Sequence, residues 1–198
     1  MNKALIILTA ALFTIGGCAR PVEDYPLAGA AIGGPFVLTG EDGRKVDSRV
    51  FDGRYRLIYF GYTFCPDVCP VDVVRLMKGY QQFLDGNPER ARKVVPIFIT
   101  VDPVRDTPEV LRKWTDEFDP RLIGLGGTQS EIDKIAKDFA VFIKRAPPNQ
   151  DGAYLVDHAR LALLMGPKGE PIALIPHDRD PATIAAELDR WVFDRLLG

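Results

Sequence analysis

Pro66 and Pro70 flank the two thiols of Cys65-Pro66-Asp67-Val68-Cys69-Pro70, directly after the apolar run Leu57-Ile58-Tyr59-Phe60, and no other local feature restricts the backbone as much. A proline pushes the residue before it out of the helical region. Cys65 and Cys69 are therefore both steered away from helix, and the stretch between them reads as a loop. Pro70 is tolerated in the first turn of a helix, where its missing N–H has no partner to lose. After it, Val73, Val74, Met77, Tyr80 and Leu84 recur at helical spacing, which predicts a helix from about Pro70 to Asp85 with Cys69 at its N-cap. A thiol there meets the positive end of the helix dipole, so Cys69 is expected to be the more acidic of the two. Residues four apart on a regular helix hold their Cβ atoms about 5–6 Å apart, whereas a disulfide needs about 3.5–4.5 Å. A folded-back loop closes that gap and can reopen it, so the pair suggests a metal site, a redox couple or both.

The chain's third cysteine, Cys18, belongs to a different signal. Met1-Asn2-Lys3 is a short positive stretch and Ala4 to Ile15 is apolar without charge, the pattern of an export sequence. Its apolar core is shorter than the about 20 residues a membrane span requires, and it ends in Ile15-Gly16-Gly17-Cys18. This resembles a bacterial lipobox, which implies a signal peptide over residues 1–17, cleavage before Cys18 and lipid on its sulfur. Residues 18–34, rich in Pro, Gly and Ala, are expected to be a membrane tether, leaving a domain over residues 35–198 on the periplasmic face of a bacterial envelope membrane. In that oxidising compartment an idle pair of nearby thiols would become a disulfide. As a mere staple, a loop so short removes little chain entropy. The net charge of −2, without a basic cluster interleaved with aromatics, argues against nucleic-acid binding.

Strand and helix signals alternate along the domain. Phe36 to Thr39 and Lys45-Val46 flank a turn, Leu57 to Phe60 and Val94 to Val101 read as buried strands, and Thr107-Pro108 opens a helix to about Phe118. Leu122 to Leu125 is a short strand, Thr128 with Glu131 forms a capping box for a helix to about Phe139, and Val141 to Lys144 is another strand. Leu161 to Met165 and Ile172 to Ile175 form a hairpin, and Asp180-Pro181 starts a last helix with Ile184, Leu188, Trp191 and Val192 on one face. The expected fold class is α/β, a thioredoxin-like domain with a central mixed β-sheet and helices on both faces. That fold places reactive cysteines between a central strand and the next helix, where the prolines put them here.

Only two histidines are present. His158, in Tyr154-Leu155-Val156-Asp157-His158 ahead of a strand, is the candidate third member of the site, whereas His177, in a charged loop, reads as solvated. Two thiolates and an imidazole suit Cu(I), Zn²⁺ or Cu(II) rather than magnesium or calcium. Asp157 is a candidate for orienting His158 through its outer nitrogen.

Three ordered segments, Gly61 to Pro70, Val101-Asp102-Pro103-Val104-Arg105-Asp106-Thr107-Pro108 and Tyr154 to His158, resemble the Sco/SenC family of copper-binding cytochrome oxidase assembly proteins. The resemblance spans about residues 35 to 195. It implies a membrane-anchored metallochaperone, most simply not an enzyme, that binds one copper, Cu(I) or Cu(II), through Cys65, Cys69 and His158. Its implied partners are cytochrome c oxidase subunit II, whose dinuclear copper centre it helps to assemble, and a periplasmic copper donor or thiol reductant. Many members carry His where this chain has Phe64 and Ser or Thr where it has Ala159, and neither departure touches the three ligands. The segment from Asp102 to Asp106 is expected to form a loop near the site, with mutual pairing of Arg105 and Asp106 as the plainer alternative, and neither is read as catalytic. The chief alternative is a thiol-disulfide oxidoreductase in which Cys65 and Cys69 form a redox-active disulfide that keeps the subunit II cysteines reduced. A peroxidase using Cys69 and a zinc hydrolase are weaker readings, the latter for want of an acid/base residue at recognisable spacing.

Overall fold

The computed structural model describes residues 25–193. The expected signal peptide, Cys18 and the start of the expected tether lie outside the described residues. Nine strands and five helices follow in order: β1 (Val37–Gly40), β2 (Lys45–Asp47), β3 (Tyr55–Gly61), α1 (Val68–Gly86), α2 (Pro88–Ala91), β4 (Val94–Thr100), α3 (Pro108–Asp116), β5 (Ile123–Gly126), α4 (Gln129–Asp138), β6 (Ile143–Arg145), β7 (Val156–His158), β8 (Ala162–Met165), β9 (Pro171–Ile175) and α5 (Pro181–Trp191).

Seven strands form one mixed sheet in the order β2-β1-β5-β4-β3-β8-β9. β3, β4 and β5 run parallel, with β3 and β4 in register from Tyr55↔Val94 to Gly61↔Thr100. β1 and β8 flank them antiparallel. Every residue of β3 and β4 is buried, as expected of central strands covered on both faces, which read as continuous rather than alternating apolar runs.

Adjacent residues of β3 identify the two covers. Tyr59 reaches Asp72 of α1 and stacks with Phe98, which in turn meets Trp114 of α3. Its neighbour Phe60 points the other way, onto Phe139 at the end of α4. α5 lies beside α1, where Gly79 faces Ile184 and the Pro181 carbonyl. Helices therefore cover both faces, as the element pattern predicts.

The caps read from the sequence are formed. Thr107 accepts from the Val110 N–H, Thr128 and Glu131 complete a reciprocal capping box, and Asp180 accepts from the Thr183 N–H. Two features depart from expectation. β7 is a strand, paired antiparallel to β6 with Ile143 opposite His158, in a two-stranded sheet of its own. The last part of the expected tether lies against the domain, with the Leu27 N–H bonded to the Ile172 carbonyl at 3.1 Å and the Gly33 N–H to that of Asp138 at 2.7 Å. Leu27 and Ile32 pack on the core there, so apolar side chains in a Gly-rich segment anchor it. Among the described residues, no helix is long and apolar enough to cross a membrane.

Candidate metal centre

β3 ends at Gly61, and the chain runs as a loop through Cys65 before α1 begins at Val68. The helix starts two residues earlier than Pro70 suggests, with Asp67 at the N-cap, so Cys69 lies inside the first turn with helical backbone. This reverses the expected order of thiol acidity. Cys69 is fully buried, and burial, with the Cys65 sulfur and the Asp72 carboxylate nearby, pushes its pKa up to about 12. Cys65 is only partly buried. Burial opposes its ionisation too, but the backbone N–H groups of Asp67, Cys69 and Val68 face its sulfur and bring its pKa below the usual thiol value. The Cys69 N–H stands 3.4 Å from Cys65 Sγ. The positive end of α1 thus acts on the cysteine before the helix, not on the one within it.

The two thiols are free. His158, 89 residues further along the chain, places Nε2 at 3.4 Å from Cys69 Sγ. Its Nδ1 lies 3.1 Å from the Ala159 carbonyl, and a carbonyl only accepts, so Nδ1 carries the proton and the Nε2 lone pair faces the sulfur. Burial holds the imidazole pKa below its ordinary value, which keeps the ring neutral near pH 7. Asp157 does not take the expected outer bond. Neighbouring strand residues point to opposite faces, and Asp157 is exposed while His158 turns inward. The backbone does the orienting instead.

Among the described residues, no three His, Cys, Asp or Glu side chains are gathered closely enough to hold a metal ion as they stand. The chain presents two sulfurs and one imidazole nitrogen meeting in pairs at the foot of a loop. Donors that share one ion at about 2.0–2.3 Å stand about 3–4 Å from each other, and the Cys69–His158 separation fits. Soft sulfurs with a neutral imidazole suit copper or zinc.

A buried polar layer surrounds these donors. Asp72, one helical turn after Cys69 and fully buried, accepts from Tyr59 Oη at 2.8 Å and from Arg160 Nη2 and Nε at 2.6 and 2.9 Å. His177, read from the sequence as solvated, is largely buried instead. Its Nε2 is 3.6 Å from Asp72 and its ring packs edge-on against Tyr59. One sequence signal for this layer exists: Asp72 is a charge within the inward stripe Cys69, Val73, Leu76, Tyr80 and Phe83. On the other side, Asp106 accepts from the Thr63 N–H, the Thr63 hydroxyl and the Thr100 hydroxyl, which ties down the loop before Cys65. Arg105 pairs not with Asp106 but with buried Asp102, and its guanidinium lies 3.7 Å from the Tyr154 ring centre. The i,i+3 spacing reaches Asp102, whereas Asp106 is turned inward to the loop.

A family model described as SCO1/SenC matches residues 25–193. Protein SenC of Rhodobacter capsulatus is 41% identical over an alignment covering 93% of this chain and 87% of that protein. The chain belongs to the SCO1/SenC family. The chain spans about half the length of the mitochondrial SCO1 homologues it matches, 52% of that of Homo sapiens. Among solved structures of the family, Bradyrhizobium japonicum ScoI with copper bound superposes with a TM-score of 0.73 at 40% identity, covering 82% of this chain and all of that one. BsSco, described as a member of the Sco family of cytochrome c oxidase assembly proteins with a disulfide switch, gives 0.63 at 25% identity over 79% of this chain and 91% of that one. The SCO1/SenC relationship accounts for the thioredoxin-like frame around the two thiols and His158.

Proposed function

We propose that this chain is a copper metallochaperone of the cell envelope that binds one copper through Cys65, Cys69 and His158 and serves assembly of the dinuclear copper centre of cytochrome c oxidase subunit II. The observation that carries the reading is the approach of a neutral imidazole, its lone pair inward, to the Cys69 sulfur from a separate two-stranded sheet. Dithiol exchange does not use that imidazole, whereas copper accepts it as a third donor beside the two sulfurs. A family neighbour with copper bound supports the choice of metal. Lipid attachment at Cys18 would hold the domain at the periplasmic face of the membrane, within reach of a membrane-bound acceptor and of a copper donor or thiol reductant.

What the chain does for the cargo follows from its residues. Cys65, poised to ionise at the loop surface, meets an incoming ion first. Near pH 7 Cys69 keeps its proton until a cation compensates its burial, and His158 closes the site from the other side. Reduced, anaerobically copper-loaded protein is expected to hold one copper per chain. His158→Ala should weaken binding by more than the about 10–100-fold that loss of an outer partner costs. Unchanged stoichiometry, affinity and spectrum in that variant would overturn the three-ligand assignment.

The thiol-disulfide reading is favoured by one feature, an accessible thiol of lowered pKa with a second sulfur beside it. The two roles share one site, since copper needs the reduced pair. Reduction of a subunit II disulfide at the same rate with and without copper would favour the redox role.

A further inference from the structure

The geometry points to the Asp72–Arg160 ion pair, buried at its Asp72 end, as a positioning strut that sets the Cys69–His158 separation; this deepens the copper reading above and rests on it. Asp72 lies three residues after Cys69 on the same face of α1, and Arg160 lies two residues after His158. The bidentate Arg160–Asp72 contact, at 2.6 and 2.9 Å, therefore runs alongside the Cys69 Sγ–His158 Nε2 contact at 3.4 Å. Both contacts join the first two turns of α1 to the stretch from His158, the last residue of β7, to Arg160, ahead of β8.

The need for such a strut follows from the sheet topology. β7 is not a strand of the seven-stranded sheet; it pairs only with β6 among the described residues. The main ladder reaches this stretch only at Ala162, opposite Tyr59, and nearer His158 the ties to the end of β3 are the Val156 N–H on Tyr62 Oη at 3.3 Å and the Tyr62 ring edge-on to the imidazole, neither of which joins His158 to α1. A fork of two parallel N–H···O bonds restricts direction as well as distance, which a single contact between the donors does not. Its anchor is itself fixed. Asp72 is fully buried and is held by the Tyr59 hydroxyl from β3, with His177 approaching from the segment after β9. Arg160 is the movable end, its side chain still 41% exposed, so its loss leaves Asp72 with contacts from Tyr59 and His177. We assign Arg160 and Asp72 as positioning residues; neither supplies a ligand.

The test uses the reduced protein with and without Cu(I). In copper-free protein, the nuclear Overhauser contact between the His158 ring and the Cys69 β-protons reports the separation directly. Arg160→Ala is expected to lose that contact while amide dispersion stays native, and Arg160→Lys, which keeps the charge but not the fork, to restore it in part. With copper bound, Arg160→Ala should release the ion about tenfold faster, at the lower end of the cost of removing an outer partner. The double variant Arg160→Ala/Asp72→Asn relieves the unpaired buried charge, so it recovers stability yet still lacks the contact. A preserved His158–Cys69 contact and an unchanged release rate in Arg160→Ala, or in the double variant if the single one does not fold, would overturn the strut. Failure of the wild type to take up copper would instead sink the copper reading, and the copper-free contact would still decide the strut.

Discussion

What faces a sulfur decides its acidity more than where the residue falls in a helix count. Cys65 receives three backbone N–H groups from the start of α1, whereas Cys69 is fully buried, with only the Tyr62 N–H to offset that burial and the Cys65 sulfur and Asp72 carboxylate opposing its ionisation. Alkylation of the reduced, copper-free protein should therefore modify Cys65 first at pH near 8, by about a hundredfold or more, because the thiolate is the nucleophile. The sign follows from the two shifts. The Cys65 rate levels off once pH passes its lowered pKa, while the Cys69 thiolate is still accumulating as pH rises toward about 12. Peptide mass mapping across a pH series measures both, and equal labelling near pH 8 would contradict the assignment. The sequence marks the donor atoms Cys65, Cys69 and His158, since few alternatives exist and prolines locate the loop. It does not mark the direction in which they point. Cys69 looks terminal and His177 exposed by local chemistry, and only the tertiary packing of α1 on β3 and of the segment after β9 buries them.

Elements that carry their own start signals are legible without the structure. Thr107, Thr128 and Asp180 each cap the helix they precede because a side-chain oxygen three residues ahead satisfies an orphan N–H. α1 lacks such a signal: Asp67 makes no side-chain cap bond, and its start is misplaced by two residues in consequence. β7 is equally illegible, being three residues long and stabilised by pairing with β6 across a loop. The interior of α1 carries a further dependence on its neighbour. A Cβ added at Gly79 would run into the Ile184 side chain and come within 3.0 Å of the Pro181 carbonyl oxygen. Intrinsic propensity favours alanine over glycine by about 1 kcal/mol, yet overpacking costs about 1–3 kcal/mol, and here a backbone atom cannot give way. Gly79→Ala is expected to lower stability to urea despite the better helix former. Ile184→Ala combined with it should recover part of the loss, since it vacates the space. A stabilised Gly79→Ala would show that α1 and α5 are less closely seated than this packing requires.

At the scale of the whole molecule, the proposed ligands divide unequally between local and distant sequence. Cys65 and Cys69 remain four residues apart in the unfolded chain, so that chain can still chelate copper through both sulfurs. His158 joins them only when the fold brings it 89 residues back along the sequence. Only binding that discriminates folded from unfolded chain raises stability, up to about 2.7 kcal/mol when free ligand is a hundredfold above its dissociation constant, and binding to the unfolded state subtracts from that. The imidazole must therefore supply most of the difference. Cu(I) should shift the urea midpoint of the wild-type protein upward, while His158→Ala, which keeps the dithiol, should show little shift even where copper still binds. Cys65→Ser should lose the shift as well, through loss of affinity rather than loss of discrimination, so binding and unfolding titrations on the same samples separate the two cases. An equal midpoint shift in wild type and His158→Ala would mean that copper is held by the loop alone and that the approach of β7 to α1 has another purpose.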